Sequence, residues 1–228
     1  MIVAIDGPAG SGKSTTARMV ADRLGWLYLD TGALYRAVGL AFRERGLPFS
    51  ADAAARLLPT LDVHLQPGPD GTRVSLDGDD VTARIRTPEA AADASRASAL
   101  APVRESMVAL QRRVAHATEA DGVVLEGRDI GTVVFPDADV KFFLVAELDA
   151  RARRRLADFD SGPETDAETL DRVRAELAER DRRDRERELS PLRAAPDAVT
   201  LDTTALTIDQ QVEAVLDAVR AHAASATL

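Results

Sequence analysis

The run GPAGSGKST at Gly7–Thr15 restricts this chain more than any other stretch, because it fits G-x-x-x-x-G-K-[ST] and directly follows the apolar run Ile2–Ile5. Gly7, Gly10 and Gly12 let backbone N–H groups converge on anionic oxygens without Cβ clashes, with Pro8, Ala9 and Ser11 between them. The helix expected to follow points its positive end at the same place. Lys13 adds a cation suited to β- and γ-phosphates, and the Ser14 hydroxyl, followed by Thr15, sits where such loops hold a metal ion. Only two lysines occur in this arginine-rich chain, so a lysine at that position stands out. Ala17, Val20, Ala21 and Leu24 fall at i, i+3, i+4 and i+7, which predicts the amphipathic helix that the loop requires.

Strand-like runs recur at Ile2–Ile5, Leu27–Leu29, Val123–Leu125, Val140–Val145 and Ala198–Leu201, with helical patterns between most of them. This predicts an α/β phosphate-loop core built on a five-stranded parallel sheet covered by helices. In such sheets ligands gather beyond the carboxyl ends of the strands, and those ends carry Asp6–Gly7, Asp30–Thr31, Glu126–Asp129 and Asp202–Thr203. Between Leu61 and Val81 the rhythm changes to alternating apolar residues around the turn-rich Pro67–Gly71, which predicts a small antiparallel insertion. That hairpin either decorates the surface or folds over a substrate. Near the end, Thr207 and Gln210 form a capping box, and Ile208, Val212, Val215, Leu216 and Val219 make one stripe; Ala221–Leu228 lacks a pattern and is expected to fray.

At 228 residues and 45% hydrophobic content, the chain is long enough to bury one sizeable core. The absence of cysteine excludes disulfide frameworks and thiolate metal sites, and the scattered His64, His116 and His222 have no ligand spacing. A formal charge of −9 argues against general nucleic-acid binding, so any cationic site must be local. No apolar run approaches the ~20 residues of a membrane span, and the expected location is the cytoplasm.

Four clusters extend the chemistry beyond the loop. In Leu29–Arg36, LDTGALYR, Thr31 either caps a helix or bonds a ligand, and Arg36 follows. In Glu126–Ala138, Arg128 and Asp129 leave a strand end together, a forked donor beside an acceptor. Arg151–Arg155, RARRR, concentrates like charge that a phosphate would relieve, and is read as part of a mobile lid. Arg180–Arg187, RDRRDRER, alternates charge and reads equally as a solvated helix face or a ligand face.

Taken together, GPAGSGKST, LDTGALYR, EGRDIGTVVFPDA, RARRR, ERDRRDRERELSPL and VTLDTT resemble the bacterial cytidylate kinases, nearly end to end. The resemblance implies a nucleoside-monophosphate-kinase core (residues 1–60, 105–150 and 172–228), an acceptor-binding insertion near 61–104 and a lid near 151–171. It implies transfer of the γ-phosphoryl of ATP, with Mg²⁺, to CMP or dCMP in pyrimidine nucleotide metabolism. Carried over by position, it assigns Thr31, Arg36 and Arg128 to the acceptor phosphate. Ser95, Arg104 and Asp129 fall to the base, and Arg180, Asp184 and Arg187 to the ribose and base. The catalytic cations become Lys13 and Arg128 with Arg151, Arg154 and Arg155, and Ser14 becomes the metal contact. The expected partners are these nucleotides alone, with neither nucleic acid nor membrane, and the expected state is a monomer. A kinase for UMP, dTMP or shikimate on the same core is the nearest rival. A GTP-dependent switch is disfavoured because no N-K-x-D occurs.

Overall fold

The computed structural model describes residues 1–68, 71–157 and 167–226. Five strands, β1 (Ile2–Asp6), β2 (Leu27–Asp30), β6 (Val123–Gly127), β7 (Val140–Val145) and β8 (Val199–Asp202), form one sheet in the order β2-β6-β1-β7-β8. Every pairing in it is parallel. A second, three-stranded antiparallel sheet joins β3 (Val63–Gly68), β4 (Gly71–Leu76) and β5 (Asp79–Asp80). It is the insertion expected from the alternation, although residues 69 and 70 of its Pro67–Gly71 turn lie outside the described residues.

Period-two alternation in β1 sends Val3 and Ile5 to one face and Ala4 to the other. The first face packs against α1 (Lys13–Leu24) and the Val212, Val215, Leu216 and Val219 stripe of α8 (Ile208–Ala226). On the second face Ala4, Leu29 and Leu125 meet Ala115 of α5 (Ala101–His116) and the π-helical turn Ile130–Val134. A third cluster joins α2 (Thr31–Glu44), α3 (Ala51–Leu57) and α5 to Val63, Val74 and Leu76 of the insertion.

Local chemistry sets the boundaries. Gly12 at φ +91° starts α1 and Gly25 at φ +68° ends it, the latter with Trp26 N–H donating back to Ala21 O at 2.9 Å. Pro88 opens α4 (Pro88–Ala97) behind the Thr87 cap. The capping box of α8 forms in both directions, Thr207 N–H to Gln210 Oε1 at 2.9 Å and Gln210 N–H to Thr207 Oγ1 at 3.3 Å. Contrary to the expected fraying, α8 runs through Ala226, because the alanine-rich AHAASA continues a helix on propensity without an apolar stripe. The acidic stretch after α6 (Leu148–Ala157) lies largely outside the described residues, and α7 (Ala167–Glu186) follows it. Among the described residues no helix is long and apolar enough to cross a membrane.

Candidate active site

The phosphate loop leaves β1 at the centre of the sheet. A Cβ at Gly7 would stand 2.2 Å from the Leu144 carbonyl oxygen, so only glycine lets the loop pass β7 this closely. Ser11 donates to Pro8 O at 3.0 Å, and Thr203 Oγ1 donates to Ser11 O at 3.0 Å, which fixes the loop from inside and from the end of β8. Lys13 is buried and its Nζ donates to Pro8 O at 2.7 Å. Burial, then the Arg128 charge, lowers its pKa to about 7. Thr16 donates to Gln211 Oε1 at 2.9 Å, anchoring α1 to α8.

Across the gap stands a second constellation, and Asp6 connects the two. Its oxygens accept from Ile130 N–H and Gly131 N–H, both at 2.8 Å, which holds the turn after β6 against the end of β1. Burial lifts the Asp6 carboxyl to about 7, against the two backbone bonds that favour its ionised form. The same turn carries Arg128 and Asp129. Arg128 Nε donates to Asp184 Oδ2 at 3.0 Å, whereas Asp129 pairs with Arg104 and lies 3.6 Å from Arg187. Arg104 also reaches Ser190 Oγ at 3.1 Å and lies over the Tyr35 ring at 5.7 Å. One cavity of about 160 Å³ is lined by Lys13 and Ser14 on one side and by Arg36, Ser95, Arg104, Arg128 and Asp129 on the other. Arg155, Arg180, Asp184 and Arg187 complete it. Burial, then Arg128, lowers the pKa of Arg180 to about 10. Two cations whose charge is disfavoured by burial and by like-charged neighbours mark a place built for an anion.

The family model described as cytidylate kinase matches residues 3–221. The chain belongs to the cytidylate kinase family. A cytidylate kinase of Salinibacter ruber is 52% identical over 97% of this chain and 98% of its own, and one of Symbiobacterium thermophilum is 47% identical over 95% and 94%. The solved structure of TT1252 from Thermus thermophilus shares the fold at a TM-score of 0.50 and 24% identity, covering 97% of this chain and 96% of that one.

Within this member of the cytidylate kinase family the four sequence clusters separate into lining and supporting residues. Thr31 is not the helix cap: Asp30 caps α2 by accepting from Ala33 N–H at 3.0 Å, while Thr31 Oγ1 donates to Glu126 O at 2.7 Å. Arg36 pairs with Asp30 at 2.6 Å and still lines the cavity. In the RARRR run, Arg151 is not among the residues that line this cavity. It pairs with buried Asp181 at 2.7 Å and donates to Ala9 O at 3.1 Å, bracing the loop from behind. Arg154 binds Thr203 O at 2.5 Å and lines a neighbouring cavity with Gly12, Thr15 and Thr207. Of Arg151, Arg154 and Arg155, Arg155 is the one that lines the central gap. The two faces of α7 differ. Arg182 pairs with Glu179 and Glu186 in solvent, while Arg180 and Asp184 turn inward.

Tyr28 and Asp181 carry no signal of a role in the sequence, and Glu126 is marked there only as a polar strand end. The buried Glu126 accepts from Ser14 Oγ at 2.5 Å and from the Tyr28 hydroxyl at 3.2 Å, both at Oε1. Burial, reinforced by the Glu126 charge, raises the Tyr28 pKa well above its ordinary value. Glu126 stood in plain view at a strand end, within the same run as Arg128. Ser14 and Glu126 are hard oxygen donors facing the same gap, a set that fits Mg²⁺ completed by water and phosphate oxygens. Among the described residues no group of three or more His, Cys, Asp or Glu converges, so an all-protein cage is not formed there.

Proposed function

We propose that this protein transfers the γ-phosphoryl group of ATP to CMP or dCMP, giving ADP and CDP or dCDP. The observation that carries the reading is the arrangement of one gap: a glycine-lined anion loop bearing Lys13 faces an Arg104–Asp129–Arg187 polar cluster across a single cavity. The loop of Gly7–Thr15 takes the donor phosphates, Lys13 swings from Pro8 O to the β/γ-phosphates, and Ser14, backed by Glu126, faces Mg²⁺. When bound, that ion would offset negative charge on the donor phosphates. Arg36, Arg128 and Arg180 receive the acceptor phosphate, with Thr31 beneath them, and Arg155 reaches the transferring group. The acceptor phosphate is ionised at neutral pH, so orientation and charge stabilisation carry the reaction and no covalent enzyme intermediate forms.

Base selection follows from donor and acceptor matching. Cytosine offers an amino donor beside two acceptors, which suits Asp129 and Ser95 against the amino edge and Arg104 against the acceptors. Uracil reverses part of that pattern and leaves a carboxylate facing an oxygen. Arg187 and Asp184 lie beside the ribose. Residues near 61–104 act as the acceptor-binding unit on a core of 1–60, 105–150 and 172–228, and of the lid expected near 151–171, residues 158–166 lie outside the described residues. All of these groups belong to one chain, so a monomer suffices.

The test is ADP release across CMP, dCMP, UMP, dTMP and AMP with ATP as donor. CMP and dCMP should lead by orders of magnitude, and a preference for another acceptor overturns the reading. In Asp129→Ala, CMP efficiency should fall far more than ATP affinity. Equal losses for CMP and UMP would rule out base reading by this carboxylate.

A further inference from the structure

Tyr28 and Glu126 sit on neighbouring strands whose register pairs Tyr28 with Val124 and Asp30 with Glu126. Alternation places Tyr28 and Asp30 on one face of β2, so the phenol runs along that face toward the carboxyl end of β6. Its ring packs beside the apolar cluster that seats α1, and its hydroxyl ends 3.2 Å from Glu126 Oε1. The Ser14 hydroxyl, at the first turn of α1, donates to that same oxygen at 2.5 Å. Two hydroxyl protons from two different elements therefore fix one carboxylate oxygen of a side chain that lines the gap. A serine hydroxyl that gives its proton to a carboxylate keeps its lone pairs for a cation, so this arrangement is compatible with an occupied metal site.

We infer that Tyr28 is a positioning residue for the donor-side metal, acting through Glu126. By holding Oε1 together with Ser14, Tyr28 presents Oε2 to the water shell of a divalent cation and aims the Ser14 lone pairs at the ion. The inference rests on the reading of Ser14 and Glu126 as the metal-facing pair. Tyr28 touches neither nucleotide nor metal in this scheme, and its effect is on the orientation of a charged group in the surrounding layer.

The experiment measures equilibrium binding of a fluorescent ADP with and without Mg²⁺, in the wild type, Tyr28→Phe, Glu126→Gln and the double variant. Tyr28→Phe keeps the ring and its packing. The gain in ADP affinity on adding Mg²⁺ should shrink about tenfold, while metal-free ADP affinity, CMP affinity and the melting temperature of the free protein stay near wild type. In the Glu126→Gln background, Tyr28→Phe should cause no further loss, since its target oxygen no longer carries charge. The inference is overturned if the Mg²⁺ gain is unchanged in Tyr28→Phe, if metal-free ADP binding falls equally, or if the two losses simply add. Should Glu126→Gln itself leave the Mg²⁺ gain intact, the metal-facing pair is misassigned and the role of Tyr28 falls with it, whatever the acceptor panel shows.

Discussion

Arg128 Nε and Asp184 Oδ2 stand 3.0 Å apart, a single ion pair that fastens the carboxyl end of β6 to the last turn of α7. Burial opposes the Asp184 charge, but Arg128, Arg180 and Arg187 together outweigh it and hold its carboxyl below the usual range. Removing the carboxylate in Asp184→Ala leaves those guanidinium groups facing one another. The expected loss is about 3 kcal/mol of unfolding free energy, read from urea titration, with a larger loss of CMP affinity than of ATP affinity by calorimetry.

Lys13 gives the pH prediction. Its pKa of about 7 in the free protein lies below the 10.5 of an unperturbed lysine. Between those values the folded chain holds fewer protons on Lys13 than the unfolded chain, so ligand-free stability rises with pH across that window. Donor phosphates reverse the imbalance by favouring the charged form. ATP binding at pH 8 should therefore take up protons, seen as a dependence of calorimetric enthalpy on buffer ionisation heat. Lys13→Met should abolish both the uptake and the stability slope, and transfer should fall by about a hundredfold or more.

The arginines of α6 should divide by role. Arg151→Ala breaks a pair in which both partners are buried, Arg151 and Asp181. About 3–5 kcal/mol of stability should be lost, visible as a lower denaturant midpoint. In Arg155→Ala, which removes a guanidinium group lining the central cavity, kcat should drop by about a hundredfold. Stopped-flow single turnovers separate that effect from product release.

Gly39 marks a close approach of α2 to α4. A Cβ there would lie 2.8 Å from the Asp93 backbone carbon. Gly39→Ala should cost about 1–3 kcal/mol through overpacking and lower the melting temperature by roughly 3–10 °C. Because α4 also carries Ser95, the KM for CMP should rise while that for ATP is kept.

Much of this architecture was legible in the sequence, for reasons tied to particular residues. Branched runs with polar carboxyl ends located the five parallel strands to within a residue or two, and the loop motif set the register of α1. Thr207 and Gln210 announced α8. The harder features join residues distant in sequence. Arg151 reads as one of four similar arginines until Asp181, on another helix, neutralises it. Tyr28 and Glu126 meet only because β2 pairs with β6, a neighbour separated from it by the whole insertion. Asp30 rather than Thr31 caps α2, a difference of one position that composition cannot resolve, since both residue types cap helices well.

The apolar cluster under the insertion and the one that seats α1 and α8 share no residue. Loss of a methyl group from one set is thus expected to spare the packing of the other.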